Sequence, residues 1–145
     1  METNHSKVYD EELAAAGIRL TALRCLIWRT IRQRMHNAFA LADVENLLYP
    51  VDKSTIFRTL TLFSEARLLH LIDDGSGSQK YCVCQCDDAR HHHGHVHLSC
   101  VKCHRTWCLD DVPIPLVDVS PDFLVRETEY VVKGICAQCR KSMGC

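Results

Sequence analysis

The chain has 145 residues, 47% of them apolar and 24% charged, with a formal net charge of −1. This composition fits one ordinary domain or two small ones, and it excludes a disordered chain, a multidomain enzyme and, with no long apolar run, a membrane span. Residues 1–5 lack the basic and apolar stretches of a secretory signal, so the expected location is cytoplasmic; there, ten cysteines and nine histidines point to metal or redox chemistry before disulfides.

In chain order, Asp10 is a predicted N-cap for a short helix ending near Gly17. Thr21 caps a second helix, with Leu23, Ile27, Thr30 and Ile31 at helical spacing. Leu41, Val44, Leu47 and Leu48 repeat that spacing, and Pro50 closes the helix. Asp52 or Ser54 starts a further helix whose apolar stripe is Ile56, Leu60 and Phe63. The period then changes: residues 69–72 and 80–84 read as two strands around a Gly-rich turn at 73–78. Helices followed by a hairpin is the order of a winged helix-turn-helix. Beyond it, residues 96–99, 106–109, 123–125 and 130–132 are short strand candidates, while Pro113 and Pro115 exclude a long regular element around them.

Charge and cysteine content divide the chain in the same place. Residues 18–70 hold eight Lys/Arg against four Asp/Glu, residues 71–145 hold eight against ten, and nine of the ten cysteines follow Lys80. The expected architecture is α+β, with a basic winged-helix DNA-binding unit at 1–84 and a small, metal-rich unit at 85–145.

The strongest motif is Cys100-x2-Cys103 followed, after 32 residues, by Cys136-x2-Cys139. Two residues between cysteines let a tight turn aim both thiolates at one ion, and two such turns complete a tetrahedral zinc shell. A shell of four sulfurs has no position for water, so the expected role is structural. Both pairs adjoin strand patterns and neither is expected to open a helix, which sets them apart from a redox Cys-x2-Cys. The second motif is the run from Asp87 to His97, containing His91, His92, His93, His95 and His97. On a strand His95 and His97 share a face and form a bidentate clamp, whereas an exposed His91–His93 loop binds metal adventitiously. Cys82, Cys84 and Cys86 alternate in the same way, and a strand cannot easily aim all three at one ion.

Four segments taken together carry a family resemblance: Gly17-Ile18-Arg19-Leu20-Thr21-x2-Arg24, then Lys53-Ser54-Thr55-Ile56-Phe57-Arg58-Thr59-Leu60, then the His cluster running into Cys100-x2-Cys103, then Gly134-Ile135-Cys136-x2-Cys139. In this order they resemble the ferric uptake regulator family of metal-responsive bacterial repressors, over roughly residues 10–140. The resemblance implies a homodimer with an N-terminal winged helix, a C-terminal dimerisation sheet, one structural zinc on the four cysteines and one regulatory metal at the hinge. In the zinc-sensing branch the hinge ligands fall on His70, Cys84, His95 and His97. The loop from Cys84 to His95 is longer than in that branch, so Cys82 and Cys86 are rivals to Cys84. An acid used by some zinc sensors falls on Cys108, itself a possible ligand. The family's additional C-terminal site needs ligands where Gly94, Val96 and Pro115 stand, and the iron-sensing branch's hinge histidine falls on Ala38.

The implied function is a zinc-dependent repressor of double-stranded operator DNA. Arg58 and Thr55 would reach the major groove, and Arg19 and Arg24 the phosphates or minor groove. Phe57 stands where the family usually has tyrosine. The alternatives are an iron- or peroxide-responsive member of the family and a zinc-storage module without regulation. An enzyme fits less well. The His-x-Glu and Pro-Cys-x2-Cys of a zinc deaminase are missing, as is the βαβ alternation of a thiol oxidoreductase.

Overall fold

The structure, a computed structural model, describes residues 2–75, 77–83, 96–109, 112–126 and 128–144. Its first half is helical: α1 (Glu2–Ala15), α2 (Ala22–Arg34), the two-residue strand β1 (Phe39–Ala40), α3 (Leu41–Leu47) and α4 (Lys53–Glu65). Helix α1 starts eight residues before the predicted cap. Asp10 is therefore mid-helix, and its carboxylate accepts from Arg29 Nε at 3.0 Å, tying α1 to α2. Glu12 extends this seam by accepting from Trp28 Nε1 at 2.8 Å and Arg32 Nε at 3.1 Å. The end of α1 is as expected: Ile18 N–H bonds Leu13 C=O, Gly17 N–H bonds Ala14 C=O, and Gly17 takes φ +79°, a Schellman stop that glycine permits without strain.

Thr21 and Asp52 act as side-chain caps, accepting from Arg24 N–H and Thr55 N–H. The stripes of α2 and α4 then meet in one core of Leu13, Ile27, Trp28, Ile31, Val44, Ile56, Leu60 and Phe63. Trp28 and Phe63 pack edge to face at 5.4 Å. Each fully buried large side chain contributes about 1.5–3 kcal/mol of apolar burial, so the helical half has a core of its own.

The wing is β2 (Leu69–Ile72) and β3 (Lys80–Val83), paired antiparallel, with β1 on the other edge of β3. Phe39 of β1 stacks on Tyr81 at 5.8 Å, which closes the sheet over the helical core. The second sheet has the order β5-β4-β6, built from β4 (Val96–Cys100), β5 (Thr106–Leu109) and β6 (Tyr130–Gly134). Strand β5 runs antiparallel to β4 and β6 parallel to it. The expected strand at 123–125 is not formed; Phe123 and Leu124 are 66% and 73% exposed and follow a turn. A short final helix, α5 (Ala137–Ser142), follows β6.

Candidate metal centres

The parallel pairing of β4 with β6 sets Cys100 opposite Gly134, so both strands end side by side and their Cys-x2-Cys turns meet. The sulfurs of Cys100, Cys103, Cys136 and Cys139 all lie within 4.8 Å of one another. Cys103 Sγ and Cys136 Sγ are 3.9 Å apart. A regular tetrahedron with zinc–sulfur bonds of about 2.3 Å requires sulfurs about 3.8 Å apart. Contrary to expectation, the second pair does open a helix, since Cys136 is the N-cap residue of α5. A lone Cys-x2-Cys there would read as a redox motif, but here the other pair faces it at metal-ligand distance.

The electrostatics of the cluster also suit a dication. Backbone N–H groups of Cys103 and Cys136 point at Cys100 Sγ, at 3.5 and 3.4 Å, and hold its thiol down at about 5. The Arg105 guanidinium, 3.5 Å from Cys103 Sγ, lowers the Cys103 thiol. Cys139, hydrogen-bonded to Cys136 and crowded by the other sulfurs, is pushed up to about 12. Four thiolates cannot coexist at this spacing without a cation, and a borderline-soft ion of charge +2 fits the donor set. Arg105, which also bonds Gln138 and lies over the Trp107 ring at 5.5 Å, carried no spacing signature by which the sequence could mark it.

A second cluster joins the two sheets. The hairpin register sets His70 directly opposite Cys82, and both meet His97 of β4. One ligand atom from each lies within 4.8 Å of the others, and His70 Nε2 is 3.5 Å from His97 Nε2. Cys82 and His97 are buried, at 5% and 4% exposure, and His70 is partly buried. Among the three rival thiols, Cys82 is the one brought to the histidines within the described residues. Cys84, Cys86, His91–His93, His95 and Cys145 lie outside the described residues. Cys108 stands opposite His97 on β5, outside the three-residue cluster. With Cys82, Arg32, His36 and Asn37 it lines a cavity of about 90 Å³.

On the helical half, Arg58 is exposed on α4 beside the exposed Lys53, Ser54 and Phe57. Thr55 is committed locally: its hydroxyl donates to Asp52 Oδ1 at 2.6 Å and its N–H to Oδ2 at 2.9 Å, and these bonds hold the Asp52 carboxyl below the usual range. Arg19 is exposed before α2, and its carbonyl accepts from Arg24 Nη1 at 2.9 Å. Phe57, at 47% exposure, is a large apolar side chain on the same outer face.

A winged helix fused to a small sheet, with a four-thiolate cluster inside the sheet unit and a His/Cys cluster between wing and sheet, defines a metal-binding winged-helix regulator. The ferric uptake regulator family model matches residues 15–118, and the chain belongs to that family of metal-responsive transcriptional regulators. It is 24% identical over 140 residues to a ferric uptake regulation protein of Bacillus subtilis (strain 168), covering 89% of this chain and 90% of that one. It is 28% identical over 141 residues to one of Synechococcus elongatus, covering 91% and 92%. Among solved structures, a zinc uptake regulator complexed with zinc and DNA shares the fold at TM-score 0.66 and 18% identity, over 99% of this chain and 97% of that one. The manganese-bound ferric uptake regulator of Pseudomonas aeruginosa shares it at 0.61 and 21%, over 88% and 98%. Among the described residues, no helix is long and apolar enough to cross a membrane.

Proposed function

We propose that this chain is a zinc-responsive repressor that binds double-stranded operator DNA as a homodimer in the cytoplasm, with a DNA-binding unit at 1–84 and a dimerisation and metal-binding unit at 85–145. The observation that carries this reading is the cluster of His70, Cys82 and His97, with two ligands from the wing and one from the second sheet. Imidazole with thiolate suits zinc better than ferrous iron or manganese, which prefer harder oxygen ligands. When bound, zinc supplies bonds to both sheets at once. His70 and Cys82 then fix the wing while His97 fixes the sheet, so the helical half loses freedom relative to the dimerisation unit. Two recognition helices in the dimer are held at one spacing, and DNA and metal favour the same arrangement with reciprocal gains in affinity. The four cysteines hold a second, structural zinc.

The outer face of the second sheet supports the dimer. Leu98, Val132 and Ile135, at 37%, 52% and 39% exposure, line with Trp107 and Leu109 an apolar cavity of about 470 Å³. A second copy of the chain covers such a face by symmetry. On DNA, Arg58 reads a base edge from α4, Thr55 acts chiefly by holding the start of that helix, and Arg19 and Arg24 contact phosphates or the minor groove.

Genomic fragments incubated with protein whose four-cysteine site is filled, with and without added zinc or ferrous iron, test this reading. Sequence-selective retention with added zinc is the expected result. Retention with ferrous iron alone would favour an iron-responsive regulator, and none with either metal a storage module.

A further inference from the structure

A second set of contacts crosses the same junction and contains no metal ligand. Lys80 Nζ lies 2.7 Å from Asp74 Oδ2, with side-chain exposures of 9% and 0%. The same carboxylate oxygen accepts from Thr106 Oγ1 at 2.7 Å, and Lys80 Nζ donates to Thr106 Oγ1 at 3.1 Å and to the backbone carbonyl of His104. Lys80 and Asp74 belong to the wing and its turn, whereas Thr106 starts β5 and His104 precedes it at φ +62°. Close packing continues beside them: a Cβ on Gly75, which takes φ +79°, would come within 2.6 Å of Lys133 Nζ from β6.

The position of this group relates it to the proposed sensing site. Lys80 and Cys82 are two residues apart on β3, and Thr106 and Cys108 two apart on β5, so each pair shares a strand face. The registers Ile72 with Lys80 and His70 with Cys82 put Lys80 two rungs from the His/Cys pair on one hairpin, with Asp74 two residues beyond the end of β2. A buried ion pair persists where hydrogen bonds satisfy its remaining capacity, and here those bonds come from the other sheet. The contacts are directional, so they select one placement of the wing against β5 instead of a sliding apolar contact.

We propose that Asp74, Lys80, Thr106 and the His104 carbonyl form a metal-independent latch that holds the wing against the second sheet, so that His70 and Cys82 already face His97 when an ion arrives. This rests on the reading of those three residues as the sensing site. A site assembled in only part of the population binds with its affinity reduced by that fraction, so the latch sets the metal threshold without touching the metal.

Thr106→Val removes the bridging hydroxyl at nearly constant volume, and Thr106→Ser restores it. The test uses the full chain with its four-cysteine site filled. Amide exchange is followed at residues 80–83 and 104–108 without further metal, and second-site zinc affinity is measured by chelator competition. The latch predicts faster exchange in both segments for Thr106→Val, zinc binding weakened by about three- to tenfold, and recovery of both in Thr106→Ser. Wild-type exchange and affinity in Thr106→Val would overturn it. If the wild type takes up no second zinc, the sensing-site reading fails, and the exchange result alone decides the latch. If Thr106→Val does not fold, Asp74→Asn, which keeps size and an acceptor but removes the charge, is read by the same criteria.

Discussion

The two metal-ligand clusters are built in opposite ways. Cys100, Cys103, Cys136 and Cys139 come from the turn after β4 and the start of α5 after β6, at adjacent strand ends, so one sheet assembles the whole set. His70 and Cys82 come from the winged-helix hairpin and His97 from β4 of the second sheet. A site contained in one sheet can contribute only to that sheet's stability, whereas a site across a junction can report its occupancy by moving one unit against the other. The four-thiolate cluster therefore suits permanence and the His/Cys cluster suits response.

The sharpest way to break this contrast is to remove one sulfur. We expect Cys103→Ser to lose the fold of the second sheet and with it the dimer, because the binding energy of a structural zinc, on the order of 10 kcal/mol, is folding energy. Circular dichroism and sedimentation of the variant check this; a folded, zinc-free dimer would reassign the cluster. The corresponding change in the other cluster has a different signature. His97→Ala is expected to keep the fold and one zinc per chain while losing at least about 100-fold in second-site affinity, together with the zinc-induced gain in DNA binding. Zinc analysis and operator titration separate the two outcomes. If His97→Ala unfolds as Cys103→Ser does, the two sites do not differ in kind.

Arg58→Ala probes the far end of the same coupling. It should weaken operator binding by about 1–3 kcal/mol if the guanidinium pairs with a guanine, with zinc content and oligomeric state unchanged. Titration at matched salt measures the loss. A variant with wild-type affinity would remove α4 from the DNA interface.

What could be read before folding follows the range of the interactions. The four-cysteine set was legible because each pair is a local turn, and α4 because the Asp52 cap and the Ile56, Leu60, Phe63 stripe lie within 12 residues. Helix α5 was not, since its six residues, Ala137–Ser142, bury nothing and show no apolar face. Residues 2–9 likewise have no helical stripe, which hid the start of α1, and β1 is two residues long and exists only by pairing with β3. That Cys82 stands opposite His70 was hidden for a different reason. It depends on hairpin register, and the turn between Ile72 and Lys80 sets that register where composition does not. The junction contacts of Asp74, Lys80 and Thr106 are longer in range still, and an isolated Asp, Lys or Thr has no pattern to betray them.

The smallest effect tests whether the helical half is as independent of metal as its separate core implies. Arg29 beside Asp10 holds that carboxyl below its ordinary range, and the pair links α1 to α2 without touching a residue of either cluster. A carboxyl depressed in the folded state stabilises above its unfolded value, near 3.9, and the contribution fades as pH falls through the lower, folded value. Asp10→Asn should therefore lower Tm by a few degrees at most at neutral pH, since both partners are partly solvated, and the difference should close below about pH 4. It should also be the same with and without bound zinc. Thermal melts of both proteins at several pH values, with and without zinc, provide the check. A difference that grew when zinc was removed would mean that the α1–α2 seam feels the state of the second sheet, and the helical half would then share the response instead of carrying it as a rigid body.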